Sequence, residues 1–112
     1  MQTIHRKSEN LTKKQLYDMM SSPAVQRMSN AVGQVLPVKG YVLYEEANKD
    51  GEITRLLSVL TENDEAYATN SATFIRSFED CVNIAGDELN SIEIMQGTSK
   101  AGRPFIMCRW HD

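Results

Sequence analysis

The residues best suited to acid–base or metal chemistry lie in positions that do not support catalysis. Carboxylates cluster in pairs, such as residues 45–46 and 79–80, and they fall beside expected turns or on the polar face of an expected helix. The two histidines, His5 and His111, lie near opposite ends of the chain. No spaced carboxylate–histidine cluster or nucleophile–base pair can be assembled from these residues. We therefore predict that the protein is not an enzyme and needs no metal and no cofactor.

A glycine-bracketed loop runs from Gly97 to Arg103. Gly97 and Gly102 have the separation of a nucleotide-binding P-loop, but Arg103 and Pro104 stand where that motif requires lysine and a hydroxyl. A strand rather than a helix is also expected to follow, which argues against nucleotide hydrolysis. Two interpretations remain open: a plain hairpin loop, or the rim of a groove at which Lys100 and Arg103 meet phosphates.

Aromatic and basic side chains occur together on the expected strands. Rings beside cations are what sequence-tolerant binding of single-stranded nucleic acid requires, at about 1–3 kcal/mol per stacked base. Phe74 and Phe78 belong to an apolar helical stripe and are expected in the core, whereas Tyr41 is expected to face outward. The candidate nucleic-acid-binding residues are Lys39, Tyr41, Tyr44, Arg55, Tyr67, Lys100, Arg103, Phe105, Arg109 and Trp110.

Charge is distributed unevenly along the chain. Residues 1–40 hold six basic and two acidic side chains, residues 41–112 hold six basic and thirteen acidic ones, and the formal net charge is −3. A nucleic-acid binder usually shows a positive footprint, so an ordinary acidic, solvated surface is an alternative interpretation. A local basic groove would still function, because charges more than about 8–10 Å away are screened by salt.

Length and composition indicate a single small domain with at most a short appendage. The chain has 112 residues, of which 41 % are hydrophobic and 24 % charged, which is ordinary globular usage. No apolar run is long enough for a membrane span, and the opening residues lack a secretory signal. Cys81 and Cys108 are far apart, which argues against a disulfide scaffold or a zinc site. We expect a cytoplasmic protein without membrane contact, in the host cytoplasm if a phage encodes it.

Local patterns predict the secondary structure. Residues 1–10 are polar and expected to be frayed, Thr12 is expected to cap a helix, and a second short helix should run from Pro23 to Gly33. Strands are expected over 35–44, 53–60, 66–69, 91–96 and 104–110, and a helix capped at residue 70 or 71 should end at Gly86. We accordingly divide the chain into a helical N-terminal extension, 1–32, and a second domain, 33–112.

The order of these elements favours a mainly β fold with helices. Three strands, a helix and two further strands form the element sequence of a five-stranded oligonucleotide-binding (OB) barrel, with the helix between strands three and four. A two-layer α+β sandwich is the alternative. The expected core residues are Val38, Val42, Leu57, Val59, Phe74, Phe78, Ile92, Ile94 and Ile106.

The segment 92–106, which reads IEIMQGTSKAGRPFI, resembles the closing hairpin of the single-stranded DNA-binding proteins of small protein-primed Bacillus phages. Weaker similarity extends over residues 33–110. The resemblance implies an OB-like domain that coats single-stranded DNA during phage or mobile-element replication or recombination. It also implies base stacking by Tyr44 and Tyr67 and a basic hairpin at Lys100, with Arg103 as an added charge.

Residues 11–32 have no clear counterpart in that family, which leaves three roles open: self-association into a homo-oligomer, an added DNA contact, or recruitment of replication or recombination proteins. The choice between DNA and RNA is also open. A different class of function is a protein-interaction module, such as a phage or mobile-element regulator that binds a host protein. The acidic residues 41–112 and the methionines Met19, Met20 and Met28 favour that alternative, because methionines suit adaptable surfaces.

Overall fold

A computed structural model describes residues 2–111 of the chain. Its strands are β1 (Gln2–Lys7), β2 (Gln26–Arg27), β3 (Val35–Ala47), β4 (Ile53–Thr61), β5 (Ala66–Thr69), β6 (Ser91–Thr98) and β7 (Pro104–Trp110). Its α-helices are α1 (Lys13–Ser21) and α2 (Ala72–Ala85), and short 3-10 turns occupy Met28–Ala31 and Gly86–Glu88. The fold is therefore mainly β with helices, as predicted.

The strands form one curled, half-barrel sheet in the order β2-β5-β4-β3-β6-β7. The long strand β3 organises it, because one edge of β3 pairs with β4 over Val38–Ala47 while the other edge pairs first with β6 and then with β1. All pairs are antiparallel except β2 with β5, which is parallel. The five predicted strands and the helix between the third and fourth of them are present, but the sheet has seven strands rather than five.

The N-terminal segment departs most from the prediction. Residues 2–7 form strand β1 instead of a frayed end, because the ladder to β3 and a 2.6 Å contact between His5 Nε2 and Glu45 Oε1 hold a polar stretch in place. The short helix expected from Pro23 is also wrong. Those residues give the two-residue strand β2 and a single 3-10 turn, since β5 offers an edge for pairing. Residues 2–32 are therefore not purely helical.

The helix ends agree with their local signals. Thr12 forms a capping box at α1: its Oγ1 accepts from the Gln15 backbone N–H at 3.0 Å, and Gln15 Oε1 accepts from the Thr12 backbone N–H at 2.8 Å. Ser71 caps α2 by accepting from the Phe74 N–H at 3.2 Å. At the other end Gly86 has φ +56°, a left-handed value that glycine tolerates best.

Two separate cores cover both faces of strands β3 and β4. The main core packs the inner face of the sheet against α2 and contains Val38, Leu57, Val59, Phe74, Phe78, Ile92 and Ile94, all predicted. The second core packs the outer face against α1 and contains Met19, Val42, Tyr44 and Leu60. Val42 is thus buried as predicted but in the second core, and Ile106 is only half-buried. Because both faces of β3 and β4 are covered, the alternation of side chains along these strands does not distinguish buried residues from exposed ones.

Candidate functional site

A groove runs along the open seam of the half-barrel. Strand β7 is one edge of the sheet, and β5 on the other side of the seam pairs with β2 only at Tyr67 and Ala68. The space between them is about 660 Å³ and is lined by Arg27, Met28, Ser29, Leu56, Ala68, Thr69, Asn70, Ser71, Gln96, Pro104, Phe105 and Ile106. Several elements distant in sequence therefore contribute to one concave surface.

The backbone of β7 presents hydrogen-bonding groups to this groove. In an antiparallel ladder, residues alternate between bonding the partner strand and pointing away from it. Cys108 points away from β6, because its N–H donates to Ser77 Oγ at 3.0 Å. Ile106 lies two residues earlier in the same unbroken ladder and lines the groove, so its N–H and C=O also face away from β6. The seam is thus polar along its main chain as well as at its side chains.

The electrostatic character of the groove is opposite to that of the whole molecule. Among the described residues that line it none is acidic and one, Arg27, is cationic, although the chain has fifteen acidic residues. A second hollow of about 380 Å³ shares Asn70 with the groove and is lined by Arg55, Arg76 and Glu79. Arg55 lies 3.7 Å from Glu79, which leaves Arg76 as the excess positive charge. The seam and its neighbour therefore form a locally basic surface.

Phe105 supplies the aromatic ring of the groove. It lies directly opposite Gly97 in the β6–β7 ladder and is half-buried. A Cβ placed on Gly97 would be only 2.6 Å from Cζ of Phe105, so the ring lies against bare backbone that glycine alone leaves uncovered. The flat ring is thereby fixed at the groove wall by its cross-strand neighbour.

The β6–β7 hairpin extends the basic surface beyond the end of the groove. Ser99 closes the turn, since its N–H donates to the Arg103 carbonyl at 2.8 Å and its Oγ accepts from the Arg103 N–H at 3.2 Å. Lys100 and Arg103 are exposed, and within residues 2–111 neither has a carboxylate within 4.0 Å. Pro104, which lines the groove, follows directly. The expected strand after this loop is confirmed as β7.

The three tyrosines among the candidates do not lie in the groove. Tyr44 and Tyr67 are 4 % and 8 % exposed, so neither ring offers a face for stacking in this structure. Burial raises the pKa of both phenols, and Tyr67 donates to Glu65 Oε2 at 3.4 Å. The expectation that Tyr41 faces outward is wrong, because its half-buried ring meets Phe78 edge-on with centroids 5.2 Å apart. The helices on both faces of β3 and β4 explain these positions.

The remaining candidates also lie outside the groove lining. Lys39 contacts Asp64 at 3.2 Å, and Arg109 is exposed opposite Glu93 in the ladder. Trp110 is 38 % exposed, and its Nε1 donates to Asn90 Oδ1 at 3.4 Å near the far end of β7. Of the ten predicted binding residues, the structure therefore brings together Phe105, Lys100 and Arg103, with Arg55 in the adjacent hollow.

Sequence reasoning missed Arg27, Asn70 and Gln96 as groove residues. Arg27 was visible as one of six cations in the first forty residues, but its place depends on the parallel pairing of β2 with β5. Asn70 and Gln96 are neutral polar residues at the ends of elements, a type with no distinctive pattern. Only the distances between elements reveal these three.

Comparison with protein-family models, curated proteins and solved structures found no match for this chain. Among residues 2–111, no group of three or more histidine, cysteine or acidic side chains is arranged to hold a metal ion. No helix formed by the same residues has the length and apolar character needed to cross a bilayer. The seam groove is the surface on which a function can be argued.

Proposed function

We propose that this protein binds single-stranded DNA, without catalysis, in the groove between β5 and β7. The observation that supports this most is that the groove lining formed by residues 2–111 contains no acidic residue, in a chain of net charge −3. A carboxylate at that surface would repel a phosphate backbone, whereas Arg27 attracts it. The basic surface continues through Lys100 and Arg103 at the hairpin.

Groove chemistry suits a single strand rather than a small neutral ligand. Phe105 gives one ring for base stacking, which is tolerant of sequence because every base has a π-face. The amides of Asn70 and Gln96 and the main chain of Ile106 can hydrogen-bond to sugars or base edges. A cation in the groove and two more on the adjoining hairpin, together with neutral polar groups, match an extended polyanion.

Strand order adds support if β3 to β7 are taken as the five strands of an OB barrel. In OB folds, the second and third strands and the loop between the fourth and fifth bind oligonucleotides. The corresponding parts here are β4, β5 and the β6–β7 hairpin, and all three border the groove. As in the phage family that the C-terminal segment resembles, we propose that binding coats DNA during phage or mobile-element replication.

Fluorescence anisotropy of a labelled oligo-dT of about 15 nucleotides tests the proposal. If three cations contact phosphates, log K should fall with log salt at a slope of about −2, a loss of roughly twenty-fold in affinity between 50 and 200 mM salt. Arg27→Ala should weaken binding and make that slope shallower by about 0.7. Replacing both Lys100 and Arg103 by alanine should make it shallower by about 1.4. Absence of binding at low salt refutes the proposal.

Arg109→Ala is the matched control for these variants. Arg109 is an exposed arginine on β7, so its removal changes the net charge as Arg27→Ala does, but it does not line the groove. If Arg109→Ala and Arg27→Ala reduce DNA affinity and the salt slope equally, binding depends on the net charge of the protein and not on the groove. Parallel titrations with single-stranded RNA and duplex DNA decide which nucleic acid is preferred.

The structure weakens the methionine evidence for the alternative function, a protein-interaction module. Met19 and Met28 are 1 % and 0 % exposed and belong to the two cores, and Met20 is half-buried against the second core, so the three together offer little methionine surface to a partner. A stoichiometric protein partner together with no binding of any nucleic acid would restore that alternative.

A further inference from the structure

We infer that Cys81 and Cys108 form a reversible disulfide that fastens α2 to β7 when the protein meets a peroxide. The inference is independent of the nucleic-acid proposal, because it concerns only the covalent state of two buried thiols. Their separation in the sequence argues against a disulfide scaffold, but it does not decide whether the two are neighbours in the fold. Folding brings them together, since α2 packs along β7 in the main core.

The contacts around Cys108 place the two thiols side by side. Ser77 Oγ on α2 accepts from the Cys108 N–H at 3.0 Å and lies 3.6 Å from Cys108 Sγ. Cys81 follows Ser77 by one helical turn, so its side chain leaves the same face of α2. Cys81 and Cys108 both belong to the main core, and the interaction between their thiols is the largest influence on the pKa of each. Both side chains are buried, with Cys81 at 9 % and Cys108 at 2 % exposure.

The two thiols differ in their readiness to ionise. Hydrogen bonding with Cys108 lowers the pKa of Cys81, while the same bond and burial raise the pKa of Cys108. Cys81 is therefore the more readily ionised thiol of the pair, and it is also the more exposed of the two. Nucleophilic attack depends on the thiolate, so Cys81 reacts first and Cys108 acts as the resolving thiol.

The oxidation balances with hydrogen peroxide as the two-electron oxidant. The Cys81 thiolate attacks one peroxide oxygen, the O–O bond breaks, and Cys81 sulfenic acid and hydroxide form. The Cys108 sulfur then attacks the Cys81 sulfur, the S–O bond breaks, and water leaves with the proton of Cys108. The hydroxide takes up the proton that Cys81 released on ionising, so two thiols and one peroxide give one disulfide and two waters. A small oxidant suits this site because the thiols lie beneath the surface.

The crosslink would join two walls of the seam groove. Asn70 and Ser71 lie just before the first turn of α2 and line the groove, and so do Pro104 to Ile106 on β7, shortly before Cys108. Closing the loop of about 27 residues between the cysteines also restricts the unfolded chain, which stabilises the fold. Oxidation therefore fixes α2 on β7.

Intact mass spectrometry and thermal unfolding of the full-length protein test this inference. The reduced protein is treated with hydrogen peroxide, denatured, and exposed to a maleimide that labels free thiols. We expect a monomer that has lost two hydrogen atoms, takes up no maleimide, and yields a crosslinked peptide containing both cysteines. Its Tm should rise by at least about 5 °C and return on treatment with a dithiol reductant.

Serine variants give the matched controls. Cys108→Ser should stop the reaction at Cys81, seen as added oxygen without loss of hydrogen, and Cys81→Ser should leave Cys108 as a thiol. Two maleimide-reactive thiols in oxidised wild-type protein would overturn the inference. So would a sulfinic acid on Cys81, or a disulfide between two chains. Because the wild-type protein gives the decisive mass, the inference does not depend on the variants being folded.

Discussion

Replacing Gly97 by alanine is expected to displace the Phe105 ring from the wall of the groove. The new Cβ would lie 2.6 Å from Cζ of Phe105 and 3.0 and 3.1 Å from its two Cε atoms. A small rotation cannot relieve three such contacts, because the ring is rigid, so the ring must turn away from β6. Adding atoms to a packed contact typically costs about 1–3 kcal/mol. Since the half-buried ring has the groove to move into, we expect the free energy of unfolding to fall by about 1–2 kcal/mol.

A double-mutant cycle with Phe105→Ala isolates this contact. Gly97 is not among the glycines with positive φ in residues 2–111, so alanine is conformationally acceptable there. Without the ring, Gly97→Ala should stabilise the protein by roughly 0.4–1 kcal/mol, because it restricts the unfolded chain. The effect of the same substitution therefore changes sign between the two backgrounds. The coupling energy between residues 97 and 105 should be about 1.5–3 kcal/mol.

Urea unfolding of the four proteins in the cycle, followed by circular dichroism, measures the coupling. If Gly97→Ala lowers the free energy of unfolding by the same amount with and without the Phe105 ring, the ring does not clash with the new methyl group. Its position against Gly97 is then wrong. A stabilising effect in the wild-type background would refute the reasoning equally. In the anisotropy assay, Gly97→Ala should alter DNA affinity without changing the salt slope, because it moves a ring and no charge.

Three further outcomes follow from side-chain partners, each measured by chemical unfolding. The Ser58 hydroxyl is fully buried without a hydrogen-bond partner among the described residues. Ser58→Ala should therefore leave the free energy of unfolding unchanged or raise it by up to about 1 kcal/mol. A clear loss of stability would show that the hydroxyl has a hydrogen-bond partner. Thr12→Ala should cost about 1 kcal/mol by removing the cap of α1, and a neutral result would contradict the capping box. Burial, aided by Glu65, raises the pKa of Tyr67 above 10.0, so the folded state holds the phenolic proton more tightly than the unfolded chain. Stability should therefore be intact below pH 10 and fall above it, and Tyr67→Phe should make that fall shallower.

The parts of the fold predicted from sequence are those specified by local chemistry. The α2 stripe, its Ser71 cap and its Gly86 end each depend on residues within one or two turns of each other. The two unpredicted strands depend on distant partners instead. Strand β1 is polar and forms because β3 offers an edge, and β2 is two residues long and forms because β5 does. No local pattern contains that information.

The candidate site was predictable where charge and ring lie in one hairpin. Lys100, Arg103 and Phe105 are neighbours along the chain, so they remain neighbours in space whichever way the sheet curls. Tyr44 and Tyr67 were misplaced for the opposite reason. Tyr44 is buried because α1 covers the outer face of the sheet, which an isolated barrel would expose, whereas Tyr67 belongs to the main core on the inner face. Burial of both faces therefore removed the distinction on which the prediction relied.

The N-terminal segment explains why the seam is open and why it is basic. Strand β2 occupies the edge of β5 at Tyr67 and Ala68, so β7 does not pair with β5 there. Directly after β2, the side chains of Met28 and Ala31 are fully buried in the main core, which holds this segment between the two sides of the half-barrel. The same two-residue strand contributes Arg27 to the groove. Residues 26–31 thus occupy part of the edge of β5 and place a cation in the groove, so the groove's charge, opposite to that of the whole molecule, depends on one short segment.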